Sequence, residues 1–173
     1  MINIRLLTEA DAGAFREVRL RALREEPTAF TSSIEEFSQH TLDKIAARFR
    51  SDPAESFMLG AFDADRLVGM IGFYRETALK LRHKGDIISL YVAPEARGQG
   101  IATALLRAAI DRARSIAGLE QLMLGVVATQ IVARKLYEAL GFVVFGREPR
   151  AVKIDDQFLD EEFMVLDLRE DRQ

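Results

Sequence analysis

Apolar and polar residues alternate with a period of two at the start of the chain, where Ile2, Ile4 and Leu6 are separated by Asn3 and Arg5. Successive strand side chains face opposite ways, so this stretch predicts a strand. The period then lengthens. Thr8, with Asp11 three residues on, has the form of a helix start, and Ala14, Phe15, Val18, Ala22 and Leu23 recur at helical spacing until Pro27. Residues 28–33 read as a polar connection holding Phe30, followed by a helical stretch over 34–49, broken near Thr41 and closed by Ser51-Asp52-Pro53. Apolar runs at 57–62 and 67–74 flank Asp63-Ala64-Asp65-Arg66, which predicts a hairpin. A polar, basic loop over 75–85 leads to a β-branched strand at 86–92.

The second half repeats these periods. After Gly98, Ile101, Leu105, Ala108, Ala109, Arg112 and Ile116 keep helical spacing to about residue 117, and Gly118 ends the helix. A strand at 122–127, a short helix at 130–140 closed by Gly141, and a strand at 142–145 follow. Asp155-Asp156 marks a turn before a last strand at 162–168, and the charged tail 169–173 is expected to fray. The order β-α-α-β-β-β-α-β-α-β-β predicts an α/β fold with a mixed sheet.

Composition narrows the class. At 173 residues and 49% hydrophobic, the chain can bury one good core, so a single domain over 1–173 is expected. No internal repeat, low-complexity tract or linker stands out. The balance of 24 Lys+Arg against 27 Asp+Glu, net -3, opposes a nucleic-acid partner. Without cysteine there is no disulfide, thiolate nucleophile or Cys-based zinc site, and two histidines, His40 and His83, point away from a His-ligated metal. Residues 1–7 lack the apolar stretch of a signal peptide, and no apolar run approaches the ~20 residues that span a bilayer. A cytoplasmic protein with no membrane partner is expected.

The most informative segment runs from Ile87 to Ala117: strand, Ala93-Pro94-Glu95-Ala96 turn, Arg97-Gly98-Gln99-Gly100, long helix. This layout aims backbone N–H groups and a positive helix end at one spot, where glycines let a phosphate come close. A P-loop needs a Gly-Lys-Ser/Thr ending, absent here. A Rossmann fingerprint needs a third glycine near 103, where Thr103 stands, and an acid ending the next strand, which instead ends Val127-Ala128-Thr129.

The segment from Leu90 to Ala102 resembles the acyl-CoA motif of the GNAT (GCN5-related) N-acetyltransferases, Arg/Gln-x-x-Gly-x-Gly/Ala, matched by Arg97, Gly100 and Ala102. Ala133-Arg134-Lys135-Leu136-Tyr137-Glu138-Ala139-Leu140-Gly141-Phe142 is similar to that family's Ala-x-x-Leu-Tyr-x-x-x-Gly-Phe block. Both blocks stand in the family's order and separation, and the element order matches along nearly the whole chain. The resemblance implies a GNAT-like acyltransferase fold with splayed central strands, 86–92 parting from 122–127. It implies that acetyl-CoA is the co-substrate, its pantetheine arm against the main chain of Leu90, Tyr91 and Val92. Its pyrophosphate would lie on the amides of Gly98, Gln99, Gly100, Ile101, Ala102 and Thr103. Arg97 would share in phosphate contact or be a plain turn residue. Gln130, standing where the family commonly has Asn, and Ala133 would touch the arm.

The family also implies roles at the reaction centre. Tyr137 is the candidate acid for the leaving thiolate, against a reading as a core tyrosine beside Leu136, Leu140 and Phe142. Asp86, at the head of the strand where some members carry a glutamate, is the candidate base, directly or through water. Glu35, Glu36 and Glu76 are rivals, and a base need not be a side chain at all. The first helices carry the acceptor pocket in this family, so Phe30, Glu35 and Glu36 are candidate acceptor-binding residues, with 157–164 bordering the mouth. Lys80, Arg82, His83 and Lys84 read as a solvated loop or an adenosine-phosphate contact, and His40 as ordinary surface. The implied function is acetyl transfer from acetyl-CoA to an unidentified primary amine by direct attack in a ternary complex, and the lack of cysteine excludes a cysteinyl relay. A non-catalytic acyl-CoA sensor of the same fold is the alternative. Strands near the C-terminus leave a homodimer open.

Overall fold

The computed structural model describes residues 1–169, so most of the charged tail expected to fray lies outside the described residues. Strands β1 (Ile2–Leu6), β2 (Ser56–Asp63), β3 (Arg66–Arg75), β4 (Lys84–Val92), β5 (Gln121–Val127), β6 (Val143–Ile154) and β7 (Gln157–Asp167) form one mixed sheet in the order β1-β2-β3-β4-β5-β7-β6. Helices α1 (Ala12–Glu25), α2 (Ile34–Ser38) and α3 (Leu42–Arg48) precede β2; α4 (Ile101–Arg114) joins β4 to β5; α5 (Ile131–Ala139) follows β5.

The helices form where caps and stripes allow. Thr8 and Asp11 make the expected reciprocal cap, with the Thr8 amide donating to Asp11 at 2.8 Å, but they start a short 3₁₀ turn that leads into α1. The 34–49 stretch is two helices, because Thr41 caps a fresh start, accepting from the Lys44 amide at 3.2 Å. Helix α4 ends at Arg114, three residues before the expected stop, and Gly118 turns the chain toward β5 at φ 74°.

Each sheet face has its own core. The stripe Leu105, Leu106, Ala109 and Ala113 of α4 packs on Leu59, Val68, Ile71 and Phe73. On the other face Phe15, Ala22, Phe37 and Ile45 pack on Met58, Phe62 and Met70. Strand β3 is buried along most of its length because both faces are covered. Strands β6 and β7 are much longer than the expected 142–145 and 162–168. Strand β6 pairs only with β7 at the sheet edge and is mostly exposed, so its residues 147–150, Arg-Glu-Pro-Arg, carry no apolar alternation to read.

The sheet opens at its centre. Parallel strands β4 and β5 pair at Lys84 with Gln121, Gly85 with Leu122 and Asp86 with Met123, and then part. Beyond that point Ser89 takes φ 59°, and Ser89 and Leu90 together stand opposite the one residue between Met70 and Gly72 of β3. This β-bulge bends β4 away from its neighbour. Strand β5 meanwhile stays paired with β7 through Val127. Among the described residues no helix is long and apolar enough to cross a membrane.

Candidate active site

Two cavities meet in the opening. The larger, about 490 Å³, runs from Arg97, Gly98, Ile101 and Ala102 along Leu90, Tyr91 and Val92 to Gln130, Ala133 and Tyr137. The other, about 370 Å³, lies between α1–α3 and the strands, among Arg19, Phe30, Asp86, Met123, Glu161 and Tyr137. Ala29, Phe30, Leu90, Gly125 and Tyr137 belong to both walls. Volumes of this order suit small ligands.

The start of α4 forms a cradle. Gly98 and Gly100 hold φ 76° and 75°, a conformation that L side chains resist. A Cβ added at either position would meet nothing within 4 Å, so the approach is open. Among the described residues no protein acceptor takes the amides of 98–103; the first local main-chain bonds are Arg97 to the Pro94 carbonyl and Ala104 to the Gly100 carbonyl. Unpaired donors at a helix N-terminus favour an anion.

Arg97 has protein partners. Its Nε donates to the Val92 carbonyl at 3.0 Å and its guanidinium pairs with Glu26 at 2.9 Å, tying the cradle to the end of α1. Tyr91 lines the larger cavity but is buried, and its hydroxyl donates to Glu25 at 2.7 Å. Gln130 donates from Nε2 to the Thr28 hydroxyl at 3.1 Å, which holds the start of α5 against the connection after α1. Gln99, Gly100 and Thr103 sit in the cradle segment but outside the cavity walls.

Tyr137 is buried at the junction of the two cavities, 6.0 Å from the Phe142 ring, and its phenol is pushed up to about 12 by burial. Asp86 stands at the last paired position before the strands part. Burial first, and then the charge of Glu76, raise its carboxyl to about 6, with Lys84 opposing. Within the stretch 157–164, expected to border the mouth, Glu161 lines the second cavity; its carboxyl is also raised, by burial and by Glu148, and it packs over Gly125. Its place on a polar strand gave no local signal to single it out from its neighbours.

Two candidate acceptor residues stand outside the walls of both cavities. Glu36 completes a reciprocal cap with Ser33, accepting from its main-chain N–H and its hydroxyl at 3.2 Å, and neither Glu35 nor Glu36 lines a cavity. Phe30 does line both. His40, expected on the surface, lies in the second cavity wall 5.1 Å from the Phe37 ring. In the basic loop Arg82 is bound to Glu55, away from the cradle.

This fold and this site define an acyltransferase-type scaffold, and the comparisons fix its family. The model of the acetyltransferase (GNAT) family matches residues 19–142, so the chain belongs to that family. Among curated relatives it is 32% identical over 91 residues to N-alpha-acetyltransferase 30 of Schizosaccharomyces pombe, covering 53% of this chain and 60% of that one. It is 34% identical over 82 residues to the L-amino acid N-acyltransferase MnaT of Escherichia coli, covering 47% of each. The matches thus span about half the length of these relatives. Among solved structures, a GNAT-family acetyltransferase from Streptococcus pneumoniae superposes with a TM-score of 0.87 at 24% identity, over 96% of this chain and 99% of that one. A phosphinothricin acetyltransferase from Sinorhizobium meliloti, solved in complex with AcCoA, gives 0.82 at 21% identity, over 96% and 88%. At these identities the structures speak for the fold alone.

Proposed function

We propose that the protein is an acetyl-CoA-dependent N-acetyltransferase that acetylates a primary amine by direct attack in a ternary complex. The observation that carries this reading is the meeting of the two cavities at Leu90, Gly125 and Tyr137, where β4 and β5 part. A thioester entering along one wall and an amine entering along the other reach the same point. The free amides of 98–103 would hold the pyrophosphate, and main-chain groups of β4 around the bulge would pair with the pantetheine arm.

Asp86, as a carboxylate above its raised pKa, would take the proton that the amine gives up, directly or through water. The amine nitrogen bonds to the acetyl carbon, and the carbon–sulfur bond breaks. Tyr137, which stays protonated at neutral pH, would hand its proton to the departing thiolate and recover one from solvent. Tyr137→Phe is expected to lower kcat by about ten-fold or more with little change in coenzyme A affinity, measured by steady-state kinetics and titration calorimetry. A full-rate variant retires the assignment.

The raised Asp86 carboxyl gives a pH signature. The base works deprotonated, so kcat/KM should rise through about pH 6 and level off above it. Asp86→Asn should remove that limb along with most of the rate. The stability sign is the reverse. A carboxyl raised from 3.8 to about 6 on folding favours the folded state below pH 4 and loses that contribution as pH climbs through 6. Asp86→Asn should therefore melt higher than wild type at pH 7–8, with the gap closing at pH 4. An unchanged pH profile in the variant excludes Asp86 as the base.

Thiol release from acetyl-CoA across a panel of small amines and peptide N-termini tests the whole reading. Turnover on one class supports it. Coenzyme A binding with no turnover on any amine leaves a sensor.

A further inference from the structure

The wall that α1–α3 give to the second cavity is cationic and lacks partners. Arg19 is 7% exposed, and its guanidinium lies 4.6 Å over the Phe30 ring and 6.0 Å from the Phe37 ring. Stacking serves the face of a guanidinium and leaves its N–H edge in need of acceptors. Among the described residues that edge finds none: Nη1 is buried with no hydrogen-bond partner, and no carboxylate pairs with Arg19. Arg48 of α3 lines the same cavity, close enough for its charge to bear on Arg19. The residue as a whole is exposed, yet packing around its guanidinium disfavours the charge. His40 stands in the same wall, with its Nδ1 also buried and unpartnered. The strands supply the opposite sign, from Asp86 and Glu161.

A buried guanidinium without an acceptor is costly, and a cavity that holds one beside a second, more exposed guanidinium fits an anion that arrives with the ligand. We propose that Arg19 and Arg48 form a carboxylate subsite and that the acceptor is a small zwitterionic amino acid. Its carboxylate sits against the helices, while its amine faces Asp86 and Glu161 at the junction with the thioester. A planar carboxylate can take two parallel N–H bonds from a guanidinium, which a neutral carboxamide cannot do equally well. This deepens the acetyltransferase reading and rests on it for the amine's role, not for the anion's.

The test pairs each common L-amino acid with its own carboxamide. With saturating acetyl-CoA, at least one acid is expected to exceed its amide in kcat/KM by about ten-fold or more. Arg48→Gln, on an exposed position that does not threaten the fold, should pull that ratio toward one. Arg19→Gln should do the same, with thermal melting to show that it still folds. Equilibrium binding of the same pairs to coenzyme A-loaded protein provides a readout without turnover. If no amine is acetylated but acids bind in preference to amides and Arg48→Gln abolishes the preference, the acetyltransferase reading fails and the subsite stands. Equal use and equal binding of acids and amides, or a preference that survives both substitutions, overturns it.

Discussion

Leu105→Ala should lower the unfolding free energy by about 3–5 kcal/mol, the upper part of the range for buried leucines. Leu105 is fully buried in the α4 stripe, and its Cδ1 lies 3.1 Å from where a Gly69 Cβ would stand. The side chain thus packs straight onto the main chain of β3. Backbone held in a sheet cannot collapse into the hole, so the cavity term stays nearly whole. Against a total stability of about 5–15 kcal/mol this is a large share, and a fall in Tm of roughly 10 °C follows for a chain of this size. Urea unfolding at neutral pH measures it. A loss below about 1 kcal/mol would show that packing on β3 is not what holds α4 in place, and with it the cradle.

Gly100→Val should act on binding more than on folding, weakening coenzyme A affinity by about 100-fold. At φ 75° an L residue is strained by about 1–2 kcal/mol, and a β-branched one resists further. The added carbon meets nothing within 4 Å, so the protein itself suffers no clash. The loop can relax out of the left-handed conformation when no ligand is bound. Binding must then restore it, which accounts for about ten-fold. The amides of the first turn lose their common aim and the pyrophosphate its close approach, which accounts for about ten-fold more. Titration calorimetry gives the affinity, and a parallel melt should show a Tm lower by only a few degrees. Gly100→Ala should fall between the two. Wild-type affinity in the valine variant would move the nucleotide site away from this turn.

The local features were legible in the sequence. The Thr8–Asp11 cap, the β2–β3 hairpin, the α4 stripe and the Gly98/Gly100 turn each depend on residues within a few positions of one another. The α2–α3 break was legible at Thr41 for the same reason. Two features were not legible, each for its own reason. The β6–β7 hairpin lies at a sheet edge, where neither face must be apolar, so no alternation announced its length. Glu35 and Glu36 are acidic and near the right helix, but charge and proximity in sequence do not say which way a side chain faces. Glu36 is taken up by the α2 cap instead.

By itself, then, the sequence determined most of the helices and core strands and the turn where helix-end amides stay unpaired, because caps, periodicity and glycine torsions act over one or two turns. The tertiary structure alone decided where β4 leaves β5 after Asp86, through a bulge set against β3. It also brought Arg19, Arg48, Asp86, Glu161 and Tyr137 around one cavity. Those residues come from five separate elements, and only sheet pairing and core packing between distant segments fix how such elements face one another.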